Sequence, residues 1–140
     1  MEEASSYVKG IIGLMFMTEA FRVTDVTVNW SFLSTHPAYV SFLHADLVFI
    51  GTGVAMIIAS WKKVAWGVAS GITYSIFGVA LTLLDPDFFH FIMDPQMFIP
   101  ADLAVSILYL VGTPVLAITL FLGLRAYQSL RMKPAVPLKQ

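Results

Sequence analysis

Four long apolar runs are spaced along the chain, each bounded by polar or helix-breaking residues. The second, "HADLVFIGTGVAMIIASW" (44–61), stops at Lys62 and Lys63, and the third, "VAWGVASGITYSIFGVALTLL" (64–84), stops at Asp85 and Pro86. The fourth, "ADLAVSILYLVGTPVLAITLFLGL" (101–124), follows Pro100, a favoured first-turn residue, and ends at Arg125. A bilayer core needs roughly 20 mostly apolar residues per helix, so each run has the length of a membrane span. The first run, about 7–29, begins in the same way but carries Glu19, Arg22 and Asp25 in its second half, and hydropathy scores it lowest. The pattern predicts an all-α chain forming one integral membrane four-helix bundle over residues 1–140.

Composition agrees, since 58% hydrophobic and 12% charged residues lie far outside soluble norms. Charge then sets an orientation. Lys9, Lys62, Lys63, Arg125, Arg131, Lys133 and Lys139 fall on one side of the four spans, while Asp25, Asp46, Asp85, Asp87, Asp94 and Asp102 collect on the other with Arg22 as its only base. The basic side is expected to be cytoplasmic, giving a multi-pass cell-membrane protein with both termini inside. The N-terminus "MEEASSYVKG" is acidic where a signal peptide is basic, so the first span is expected to be retained. The outer segments "DVTVNWSFLSTHPAYVSFL" and "DPDFFHFIMDPQMFIP" are rich in aromatic residues and Met, which places them at the lipid interface, broken into short helices or caps by Pro37, Pro86, Pro95 and Pro100. A net charge of −1 leaves no basic surplus for nucleic acid, and a chain without cysteine has no disulfide, thiolate metal site or ordinary iron–sulfur ligation.

Small residues indicate how the spans pack. Gly67, Gly71 and Gly78 in the third span, and Gly51, Ala55 and Ala59 in the second, recur at spacings that build faces for close helix approach. "GTP" at 112–114 predicts a kink in the fourth span, with Thr113 or a neighbour taking the carbonyl that proline frees. The second and fourth spans both open on Ala-Asp-Leu, which reads either as an echo of duplication or as Asp46 and Asp102 each complementing the first turn of a helix.

Candidate chemistry lies in the first span. Thr18, Arg22, Asp25 and Asn29 follow steps of four, three and four, with Glu19 three residues before Arg22, so they share one helical face. At 1.5 Å per residue Glu19 is about 15 Å along the helix from Lys9, near the bilayer midplane. A charge there costs roughly 3 kcal/mol or more, so the face is expected to turn inward, with Glu19 paired to Arg22 or neutral. Such a stripe serves as an orienting ion pair, or as a quinone or proton site at Thr18, Glu19, Arg22 and Asp25. His36, His44 and His90 all fall toward the outer side, and with Asp46 they form a candidate metal set; His44 and His90 are also conceivable axial haem ligands, though their spacing follows no ligand motif. "GTG" at 51–53 lacks the context of a dinucleotide site, and no phosphate loop or hydrolase signature occurs.

"GIIGLMFMTEAFRV" (10–23) resembles the first helix of the DoxX/DoxD group of small four-span membrane proteins, and "GVAMIIASWKKVAWGVASGITYSIFGVAL" (53–81) resembles its second and third helices, together under half the chain. The resemblance implies a respiratory setting, either quinone-linked thiosulfate oxidation or a small subunit of a terminal oxidase assembly. Three functions are therefore expected candidates. The first is a non-catalytic accessory subunit of a larger membrane complex, with lipids and other membrane subunits as partners. The second is a quinone- or haem-binding redox component using Glu19 and Arg22. The third is a small transporter or channel lined by Thr18, Glu19, Arg22, Tyr74 and Thr113.

Overall fold

The computed structural model describes residues 2–94 and 103–131, which are almost wholly helical and include no strand. In chain order the elements are α1 (Glu2–Val28), α2 (Trp30–Thr35), α3 (Pro37–Lys62), α4 (Val64–Leu84), α5 (Pro86–Met93) and α6 (Leu103–Ile107). A π-helical turn, Leu108–Gly112, then runs directly into α7 (Thr113–Arg131). Three stretches are long and apolar enough to cross a membrane, Tyr39–Lys62, Val64–Leu84 and Val105–Arg131, and these suggest a membrane protein. α1 matches them in length at 27 residues, but its charges dilute its hydropathy.

Local chemistry explains the breaks. Pro37 and Pro86 occupy the first turns of α3 and α5, where a missing N–H costs nothing. Lys63 is extended, at φ −150° and ψ 138°, and this one residue separates α3 from α4. Asp85 caps α5 by accepting from the Asp87 amide at 3.0 Å. Before Pro114 the helix widens, so that the Thr113 amide donates to the Leu108 carbonyl, five residues back. The kink expected at "GTP" is thus a π turn, and Thr113 does not take up the freed carbonyl: its Oγ1 is buried without a hydrogen-bond partner among the described residues.

The third expected span coincides with α4, and the first with the body of α1. The second starts earlier than hydropathy places it, at Pro37, because Ser41, His44 and Asp46 lower the average without interrupting the helix. Asp46 consequently sits in the third turn of α3 and does not serve the first-turn role expected of it. Pro95, Pro100, Asp102, Lys133 and Lys139 lie outside the described residues.

The four long helices pack in a ring, α1 on α3, α3 on α4, α4 on α7 and α7 on α1, and α1 also touches α4 across the middle. Glycine permits the closest approaches. A Cβ at Gly67 would lie 2.5 Å from Val8 Cγ1, and one at Gly71 would lie 2.6 Å from Ile11 Cγ2. The expected small face of α3 is used differently. Gly51 and Ala55 are exposed, a Cβ at Gly51 would meet nothing within 4 Å, and the glycine that packs inward is Gly53.

Polarity is inverted relative to a water-soluble protein. Thr18, Glu19, Arg22, Asp25, Ser75, Ser106 and Thr119 are buried, while Phe16 is 62% exposed, Trp61 70% and Leu84 69%. Soluble monomers rarely display so continuous an apolar exterior, and they rarely bury charges while doing so. Most of the buried hydroxyls solve their own problem: Thr18, Ser75 and Thr119 each donate to the carbonyl four residues earlier, the usual device for a hydroxyl on a helix without water.

Candidate functional site

The polar stripe of α1 faces inward as its spacing predicts, and Glu19, Arg22 and Asp25 keep only 6%, 4% and 6% of their exposure. Arg22 is held from two other helices. Its Nη1 donates to Asp46 Oδ1 of α3 in an ion pair, and Nη2 donates to Thr82 Oγ1 of α4 at 3.4 Å. The guanidinium lies over the Phe49 ring of α3, 4.9 Å from its centroid, in cation–π contact. Thr82 donates its own proton to the Gly78 carbonyl at 3.0 Å, which leaves its lone pairs for Arg22.

This arrangement corrects one expectation. Arg22 does not pair with Glu19, because Asp46 meets the guanidinium across the α1–α3 contact and takes its charge. Glu19 turns instead into a space that glycine provides. A Cβ at Gly53 would overlap Glu19 Oε1 and come within 2.9 Å of Tyr74 Cε2, so carboxyl and phenol share the room a side chain would fill. Both Glu19 oxygens are buried without a hydrogen-bond partner among the described residues, and Tyr74 directs its hydroxyl to the Met15 carbonyl at 3.4 Å. Thr18, one turn before Arg22, is turned onto the Leu14 carbonyl at 3.1 Å.

Beyond Arg22 the polar groups continue toward the end of the molecule that carries α2 and α5. Asn29 Nδ2 donates to Asp25 Oδ1 at 2.9 Å. Asp25 and Asp85 both lie near Tyr109 of the π turn. Phe88 and Phe91 of α5 cover Tyr109 with ring centroids at 5.3 and 5.4 Å. Tyr39 of α3 donates to Asp87 Oδ1 at 2.8 Å, which ties α3 to α5. Burial lifts the Asp85 carboxyl above the usual carboxylate range, against the opposing pull of Tyr109 and the Asp87 amide.

The histidines stay apart from this network. His36, His44 and His90 are exposed, and Asp46 is committed to Arg22. His36 packs its ring on Phe32 at 4.0 Å and sets Nδ1 2.9 Å from the Phe32 carbonyl. Among the described residues no three His, Asp or Glu side chains are grouped to hold a metal ion. The structure likewise does not bring His44 and His90 to facing helices inside the ring, where a bis-histidine haem would need them. An apolar groove of about 650 Å³, lined by Val23, Val26, Thr27, Trp30, Leu47 and Ile50, opens on the outside between α1 and α3.

Sequence reasoning missed Asp46 as the partner of Arg22, and with it Phe49 and Gly53. The signal was present: once α3 is traced back to Pro37, Asp46, Phe49 and Gly53 fall three and four residues apart on one face. Tyr109 and Asp85 carried no such periodic signal, because the π turn shifts the face on which Tyr109 falls. Compared with protein-family models, curated proteins and solved structures, the chain matches none.

Proposed function

We propose that the protein is a multi-pass cell-membrane protein in which α1, α3, α4 and α6–α7 form a four-helix transmembrane bundle with both termini cytoplasmic. Its role is that of a small, non-catalytic accessory subunit within a larger membrane complex. The observation that carries this reading is the outward small-residue ridge of α3. Gly51 and Ala55 are exposed with Ala59 one turn further along, on the least buried of the three apolar helices: 22% of its most apolar window is covered, against 50% in α4 and 44% in the last. Small residues at four-residue spacing let a neighbouring helix approach closely, and among the described residues nothing packs against Gly51 on that ridge. The DoxX/DoxD resemblance supplies a candidate setting, a quinone-linked respiratory assembly.

Substitution on the two kinds of glycine separates docking from folding. Gly51→Leu should fold and insert like the wild type but lose the proteins that co-purify with it in mild detergent, whereas Gly71→Leu should fail to fold because Ile11 occupies the space. Unchanged partners in a well-folded Gly51→Leu protein would contradict the docking role.

A second reading rests on the unpartnered carboxyl of Glu19. With both oxygens buried and without a hydrogen-bond partner among the described residues, it is an acidic group placed to take up something from outside, as a redox or transport component would.

A further inference from the structure

We propose that Glu19 is a proton-binding site reached from one end of the bundle only, the end that carries α2 and α5. This goes beyond a docking role and does not depend on it. The ionisable groups facing Glu19 are Arg22 of α1 and Tyr74 of α4. Arg22 is already neutralised by Asp46 of α3, so an ionised Glu19 would stand as an uncompensated charge in an apolar interior. Among the described residues neither of its oxygens accepts a hydrogen bond, the neighbouring Tyr74 hydroxyl being directed to the Met15 carbonyl. A carboxyl that keeps its proton resolves this, and Gly53 is what makes room for it: any side chain there would displace the carboxyl.

Access is asymmetric because the buried face of α1 changes character at Glu19. Toward one end it continues as Met15, Ile11, Val8 and Ala4, all buried and apolar, with Gly67 and Gly71 of α4 pressed against Val8 and Ile11. Toward the other it continues as Arg22 and Asp25, flanked by Asp46, Thr82, Tyr109 and Asp85, and it surfaces at the Tyr39–Asp87 contact. The ionisable residues of α7, Arg125, Tyr127 and Arg131, are exposed and lie toward the apolar end. Proton movement needs closely spaced hydrogen-bonding groups; among the described residues the acidic end supplies ionisable ones, whereas Ser60, Ser75 and Thr119 are hydroxyls each committed to the carbonyl four residues earlier.

The full-length protein in liposomes of one orientation, sorted by protease access to a C-terminal tag, can be treated with dicyclohexylcarbodiimide. This apolar reagent adds across its C=N bond the O–H of a protonated carboxylic acid, and peptide mass spectrometry locates the adduct without relying on a variant. The expected result is an adduct at Glu19 whose rate falls by up to about ten-fold per unit rise in pH on the α2–α5 side. The rate should be indifferent to pH on the Lys62–Lys63 side. No adduct at Glu19 at any pH would overturn the proposal, as would a rate set from the Lys62–Lys63 side or equally from both.

Discussion

Arg22 shows how a charge can be made tolerable far from water. It is paired with Asp46, hydrogen-bonded to Thr82 and stacked on Phe49, so three contacts from two helices replace its hydration. Removing one partner should therefore be worse than removing both. Arg22→Ala or Asp46→Ala alone should cost about 3–5 kcal/mol by stranding the other charge, while Arg22→Met combined with Asp46→Leu should recover most of that loss. Reversible unfolding in detergent measures it; equal losses in the single and double variants would mean the pair is not shared in this way. The burial of Arg22 was legible in the sequence, since its spacing with Thr18 and Asp25 defines a face. Its partners were not, because Asp46 and Thr82 lie 24 and 60 residues away and periodicity within one helix cannot name a contact between helices.

Among the elements, those bounded by strong local chemistry were the most legible. α4 begins after Lys63 and ends before Asp85 and Pro86, as its sequence indicates. α3 was read short because a hydropathy window averages over faces, and the polar residues of its first turns share that average with apolar ones. The π turn could be located from Pro114 but its consequence could not: widening the helix is what brings Tyr109 toward Asp85. Burial of Asp85, the residue that caps α5, is what makes that helix sensitive to pH. Asp85 is raised above its unfolded value by burial, so the native state binds its proton more tightly than the unfolded chain does. Its contribution to stability is therefore full below the ordinary aspartate range and is lost as pH rises through the folded value. Asp85→Asn keeps an oxygen to cap the Asp87 amide and never ionises. Its stability relative to wild type should be higher at neutral pH and should converge as pH falls below the ordinary aspartate range. Asp85→Ala likewise never ionises but loses the cap, so it should lie about 1 kcal/mol below Asp85→Asn at every pH. Thermal unfolding across pH distinguishes the two, and a gap between Asn and wild type that widens on acidification would contradict the assignment.

For the whole molecule, the distribution of polarity supports a membrane environment. Large apolar side chains cover the outside of every long helix, and the charges of α1 are enclosed by the others. Such an arrangement is unfavourable in water and favourable in lipid, where unpaired polar groups are the expensive ones. Hydropathy alone leaves α1 out of the spanning set because the measure counts Glu19, Arg22 and Asp25 without regard to where they point. Their inward placement supports the proposal that α1 is a fourth span, on which the proposed topology rests. Because the chain has no native cysteine, single cysteines at Ser6, near the start of α1, and at Ser34 of α2, beyond the other end of α1, both exposed, can be probed with a membrane-impermeant maleimide in intact cells. Cysteine at 34 should be labelled at once and cysteine at 6 only after permeabilisation; labelling of both positions from the same side would show that α1 does not cross the membrane.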